Sequence, residues 1–188
     1  NTLGSGSSNF GVYVYDSTAQ ITSNGGAVSV TGTGGGATSS VSNIGVFVQS
    51  GGVITSAGTG ASATVTVDGH GGNIAGSGSL NYGVRVSGAN SQITSSGGAV
   101  SVAGSGTSNS EVVRLDSSGA ITSGSNASIT VTADSASIDA SSGINSGNGQ
   151  TTIRPRTAGT QIDLGGADVL SGSPLTLGLT SAEVNLIT

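Results

Sequence analysis

Short apolar–polar–apolar phrases recur along this chain in a fixed order. The first is Gly11-Val12-Tyr13-Val14, repeated as Gly45-Val46-Phe47-Val48, as Gly83-Val84-Arg85-Val86 and, worn, as Val112-Val113-Arg114-Leu115. The second is Ile21-Thr22-Ser23, repeated at Ile54, Ile93 and Ile121. The third is Val28-Ser29-Val30, repeated at Val65 and Val100 and, as Ile-Thr-Val, at Ile129. Period-two alternation with no helical pattern between the phrases predicts three short strands per repeat, and therefore coils of an all-β solenoid. Between the third phrase and the next first phrase, Thr31–Ser42, Asp68–Leu80 and Ala103–Asn109 read as Gly/Ser/Thr-rich loops extruded from one corner. Past residue 135 the loops shrink. Ile138, Ile162 and Leu186 fall on strand one, Ile144 and Val169 on strand two, and Ile153 and Leu175 on strand three, predicting two tighter coils of about 24 residues. The expectation is one β-solenoid over 1–188, with four loop-decorated coils in 1–135 and two plain coils in 136–188. About six coils at a strand spacing of about 4.8 Å make a rod roughly 29 Å long.

Alternation also sorts the side chains. Stacked inward rows are expected at Val12/Val46/Val84/Val113, Ile21/Ile54/Ile93/Ile121, Val28/Val65/Val100/Ile129 and Phe10/Ile44/Tyr82. The outward rows are Tyr13/Phe47/Arg85/Arg114 and Thr22/Thr55/Thr94/Thr122, with Phe47 and Arg85 placed for a cation–π contact. Asn9, Asn43 and Asn81, each two residues before a first-phrase valine's glycine, are positioned for an amide ladder.

Composition narrows the classes. The chain has 188 residues, 35 of them Gly, with 7% charged and no Cys, Met or Trp. A disordered Gly/Ser linker would lack the regularly spaced Val and Ile. A net charge of -5 argues against nucleic acid or an anionic membrane as partner. No apolar run approaches the roughly 18 residues of a membrane span.

The Asn-aromatic-Gly-Val-x-Val, Ile-Thr-Ser and Val-Ser-Val-Thr-Gly wording resembles the repeats of large bacterial filamentous-haemagglutinin-like exoproteins and adhesins. So does Ile153-Arg154-Pro155-Arg156-Thr157-Ala158-Gly159 followed by Ile162-Asp163-Leu164-Gly165-Gly166-Ala167-Asp168. The resemblance implies a right-handed parallel β-helix, export across a Gram-negative outer membrane and a role at the cell surface. The right-handed form also follows the general rule for parallel crossovers. On this reading the chain is a fragment of a longer polypeptide and a structural shaft without catalysis. Its partners are further coils or identical subunits end to end, with a cell-surface glycan or protein as a further candidate.

Candidate chemistry is sparse. The sole histidine, His70, sits in Asp68-Gly69-His70-Gly71-Gly72 and reads as an exposed loop residue. The Gly-His-Gly also occurs in polygalacturonase-type β-helix enzymes, but their Asn-Thr-Asp, Asp-Asp and Arg-Ile-Lys companions are missing. A serine triad would have to use His70, with no partner singled out. There is no Gly-x-Ser-x-Gly elbow and no phosphate loop. Asp163 and Asp168 flank a Gly-Gly turn that loosely echoes a calcium-binding nonapeptide, so calcium is the one cofactor with a candidate site. The Thr row lacks a second rank for ice binding, its neighbours being Gln20, Val53, Gln92 and Ala120. The outward row Tyr13, Phe47, Arg85 and Arg114 is the candidate binding surface. A carbohydrate-active β-helix enzyme and a self-assembling extracellular fibre are the alternatives to the shaft.

Overall fold

The computed structural model describes residues 6–73, 77–106 and 110–188, so parts of the second and third corner loops, at 74–76 and 107–109, lie outside the described residues. Coil one contributes β1 (Val12–Tyr15), β2 (Gln20–Ser23) and β3 (Val28–Thr33), and coil two β4 (Val46–Gln49), β5 (Val53–Ser56) and β6 (Val65–His70). Coil three is β7 (Val84–Ser87), β8 (Gln92–Ser95) and β9 (Val100–Ser105), and coil four β10 (Val113–Asp116), β11 (Ala120–Ser123) and β12 (Ile129–Thr132). Coil five is β13 (Ala136–Ile138), β14 (Gly143–Asn145) and β15 (Thr151–Arg154). Each strand pairs in parallel with its counterpart one coil on, giving three 5-stranded sheets: β1-β4-β7-β10-β13, β2-β5-β8-β11-β14 and β3-β6-β9-β12-β15. The protein is a parallel β-helix of three strands per coil, about 24 Å long over its five coils.

Register follows the repeated phrases residue for residue. Val12 faces Val46, which faces Val84, Val113 and Ala136 in turn. Ile21, Ile54, Ile93, Ile121 and Ile144 form a second column, and Val28, Val65, Val100 and Ile129 a third. These columns make one core cluster, in which Ile54, Ile93, Ile121 and Ile129 have no solvent exposure. Burying each such side chain contributes about 1.5–3 kcal/mol. A slip of one residue would turn the column outward, so burial itself fixes the register.

The Asn ladder forms. Asn9 Nδ2 donates to Asn43 Oδ1 at 2.8 Å, and Asn43 Nδ2 to Asn81 Oδ1 at 3.0 Å. The same carbonyl oxygens accept the backbone N–H groups of Asn9 and Asn43. Ser110 takes the next place, its Oγ accepting the Asn81 N–H at 3.1 Å.

Three expectations are corrected. Phe10, Ile44 and Tyr82 do not enter the inner core; they gather with Phe47 in a separate cluster on the outer side of strand one. Alternation counts faces only along a continuous strand, and Gly11, Gly45 and Gly83 break it. A Cβ on Gly45 would collide with the backbone of His70, at the end of strand three of the same coil, so the corner closes only without a side chain. Second, strand three runs to Thr33, His70 and Ser105 in the first three coils, so the corner loops begin later than Thr31, Asp68 and Ala103.

Third, the described residues form five coils and no sixth. Ile162 lies in β16 (Gln161–Leu164), which pairs in parallel with β17 (Thr176–Leu179) as a separate 2-stranded sheet. Val169 forms an antiparallel bridge to Thr176 instead of joining strand two. Leu186 and Ile187 come to strand two instead of strand one, with Ile187 bridged to Ile144. The reason lies in the edge of β13. Asp168 Oδ2 accepts the Ala136 N–H at 3.0 Å and Glu183 Oε1 the Ile138 N–H at 3.1 Å, so carboxylates take the donors that a sixth strand one would need. Glu183 is held for this by the one-turn helix α1 (Ser181–Val184), where its other oxygen accepts the Thr180 N–H at 3.0 Å in a capping box. Residues 157–188 therefore cap the helix.

Candidate functional site

The outer face of strand one carries the densest side-chain chemistry. Tyr13, Phe47, Arg85 and Arg114 stand opposite one another across β1, β4, β7 and β10, as the repeat predicted. Tyr13 stacks on Phe47 with centroids 5.3 Å apart and an interplanar angle of 22°, and Phe10 meets Phe47 edge-on at 5.4 Å. The Arg85 guanidinium lies 5.1 Å from the Phe47 ring and 5.6 Å from Tyr82, and Arg114 lies 5.8 Å from Tyr82. This covering leaves Phe47, expected as part of the binding surface, only 4% exposed. The open aromatic area is instead Tyr13 at 44% and Tyr15 at 52%, whose rings sit 5.4 Å apart.

The two arginines are not free cations. Asp116, nearly buried, accepts from Arg85 Nε at 3.0 Å and from Arg114 Nε at 2.8 Å. Glu111 lies 3.7 Å from Arg114 Nη1. Burial alone would raise the Asp116 carboxyl, but hydrogen bonds from Arg85, Ser87 and Arg114 hold it below its ordinary range. Tyr82 is pushed up, first by burial, with Arg114 and Arg85 pulling the other way. Asp116 was legible in principle: two arginines directly opposite repel, and a carboxylate two residues along the strand is their diagonal neighbour. The face is thus a closed ion network with an aromatic shelf at its coil-one end, and Gln49 accepts the Tyr13 hydroxyl at 2.7 Å on that shelf.

His70 is on a strand, not in a loop. It ends β6 opposite Thr33 and Ser105, half-buried, with Nδ1 2.7 Å from Ser105 Oγ. Its Nε2 lies 3.5 Å from Asp68 Oδ2, two residues earlier on the same face. Arg156 Nη1 donates to Asp68 Oδ1 at 2.8 Å, reaching back from beyond β15. It crosses the row position held by Ala103 and Thr132, where the small alanine leaves the path open. The sequence reading puts Asp68 and His70 in a corner loop; continuing the third phrase three residues further, as β3 and β6 do, sets Thr31 beside Asp68 and Thr33 beside His70.

The two calcium candidates have different surroundings. Asp168 turns both oxygens to backbone donors, Ala136 N–H and Gly178 N–H, the latter at 2.7 Å. Burial pushes it up to about 7, with Glu183 and Glu111 adding to the rise. Asp163 is exposed on β16. Among the described residues no three His, Asp or Glu side chains converge as metal ligands.

No protein-family model, curated protein or solved structure matches the chain. No helix among the described residues is long and apolar enough to cross a membrane.

Proposed function

We propose that this chain is a segment of the structural shaft of a secreted or cell-surface, adhesin-like exoprotein. The observation that supports the reading is the continuity of three parallel sheets through all five coils. Every coil is tied to the next by three backbone ladders and by columns of like side chains, so bending or stretching the rod means breaking several ladders together. Stability in such a stack is a sum of per-coil and nearest-neighbour contributions, which suits a mechanical spacer whose length is set by coil number. The charge network of Asp116, Arg85 and Arg114 ties coils three and four on the outside, where a shaft needs cross-links. A fibre growing from both ends fits less well, because new coils would have to displace Asp168, Glu183 and Ile187 from β13 and β14.

The test is antibody labelling of intact source cells with a serum raised against this segment, followed by electron microscopy of the native polypeptide. The reading expects labelling that external protease removes, and a rod that bears the epitope. Signal only after lysis would sink the surface assignment, and a particle without a rod would sink the shaft.

A further inference from the structure

Beside the cap, a cleft of about 700 Å³ opens between the end of β9 and the segment Val169–Leu175. Its lining includes the polar Ser105 and Arg156, Gly106, and the apolar Val112, Leu170 and Leu175. Ser105 is also the residue that His70 touches. Asp68, His70 and Ser105 therefore form an ordered relay that ends at a cavity wall: carboxylate, imidazole, hydroxyl, cleft. We propose that Ser105 is an activated nucleophile, with His70 as its base and Asp68 as the group that orients the imidazole, acting on short aliphatic carboxylic esters. This goes beyond the shaft reading, does not rest on it, and departs from the expectation of a chain without catalysis.

The geometry supplies each role. With its proton on Nε2, the ring nitrogen nearer Asp68, His70 keeps the Nδ1 lone pair free to accept the Ser105 hydroxyl at 2.7 Å. The Asp68 to Nε2 separation, 3.5 Å, is longer than a hydrogen bond. Such contacts are often loose in unliganded sites and tighten when substrate binds. Arg156 pins the other Asp68 oxygen and so fixes which lone pairs face the imidazole. Gly106, next after the nucleophile and in the cleft wall, carries the N–H that acyl-transfer sites use to hold the developing oxyanion. The apolar wall of Val112, Leu170 and Leu175 suits an alkyl acyl chain.

In the step, Ser105 Oγ forms a bond to the ester carbon while its proton passes to His70 Nδ1. The tetrahedral adduct collapses with loss of the alcohol, which takes that proton. Water, deprotonated by His70, then attacks the acyl-serine, releasing the carboxylic acid and restoring Ser105. The net change is ester plus water to alcohol plus acid, with no other reactant.

Treatment of the chain with a fluorophosphonate probe, with the adduct mapped by peptide mass spectrometry, tests this directly. The other serines of the chain serve as internal controls. The expected result is one dominant adduct on Ser105 and p-nitrophenyl butyrate hydrolysis that Ser105→Ala abolishes. His70→Ala should slow both by about 100-fold or more, the usual contribution of a positioned base, and Asp68→Asn should slow them less. His70→Asn provides a second removal of the base should His70→Ala unfold, with far-UV circular dichroism verifying the fold. Wild-type protein that takes no adduct, or takes it evenly across its serines, overturns the proposal. So does a folded His70 variant that labels at the wild-type rate.

Discussion

At the residue scale, the corner glycines show how a repeat can be visible while its cause is not. Gly45 recurs with Gly11 and Gly83 in the first phrase, and alternation alone treats it as one more position in the strand. In the folded coil a Cβ there would overlap backbone atoms of His70 and Gly83, two neighbours that cannot swing aside. Gly26 has the opposite surroundings, since a Cβ would meet only the Ser23 hydroxyl at 3.6 Å. Gly45→Ala should therefore cost about 1–3 kcal/mol through overpacking, while Gly26→Ala should stay within about 0.5 kcal/mol. Urea unfolding of both variants checks this, and equal midpoints would mean the corner is looser than drawn. The same glycine break explains why simple alternation points Phe10, Ile44 and Tyr82 inward although they lie in the outer cluster. The face on which they lie was legible for Tyr13, Phe47, Arg85 and Arg114, which sit inside strands, and illegible for residues on the far side of the turn.

At the scale of elements, the cap is where apolar spacing misled. Ile162, Val169, Leu175 and Leu186 keep the interval of a coil, but spacing cannot tell a strand that stacks from one that turns away. The polar residues decide, since Asp168 and Glu183 occupy the N–H groups of β13 that a further strand would use. One of these carboxyls also makes the cap sensitive to pH. Burial, helped by Glu183 and Glu111, raises Asp168 to about 7 against the pull of its two backbone donors, whereas the unfolded chain releases that proton near pH ~3.9. The folded state then holds the extra proton between those values. The stability this group contributes is complete below about pH 4 and is lost as pH rises toward 7. Asp139 works in the opposite sense and outside that window: burial opposes it, but donors such as the Ser117 and Ser141 N–H groups take it down to about 2, so its contribution is lost only in strong acid. Urea midpoints measured between pH 4 and pH 7 should fall with rising pH in the wild type more steeply than in Asp168→Asn, whose side chain does not titrate. Parallel curves for the two proteins would remove Asp168 as the cause.

Over the whole molecule, the three phrases determine one quantity that no single coil contains, which is depth in the stack. Ile21 and Ile93 are the same residue at the same place in the same phrase, and both belong to the strand-two column. Ile93 has neighbours above and below, at Ile54 and Ile121, and no solvent exposure. Ile21 has a stacking partner only at Ile54 among the described strands, and is half-buried. If stability is a sum over coils and their contacts, identical truncations must cost different amounts according to depth. Ile93→Ala should lose about 2–5 kcal/mol, the range for a buried large-to-small change whose cavity cannot collapse, and Ile21→Ala well under half of that. Chemical unfolding with intrinsic tyrosine fluorescence reads both variants, and hydrogen exchange should place the slowest amides in the middle coils, not at coil one. Equal losses at the two positions would show that the rod unfolds as a unit whose ends are as tightly held as its centre. That result would contradict the nearest-neighbour stacking from which its stiffness has been argued.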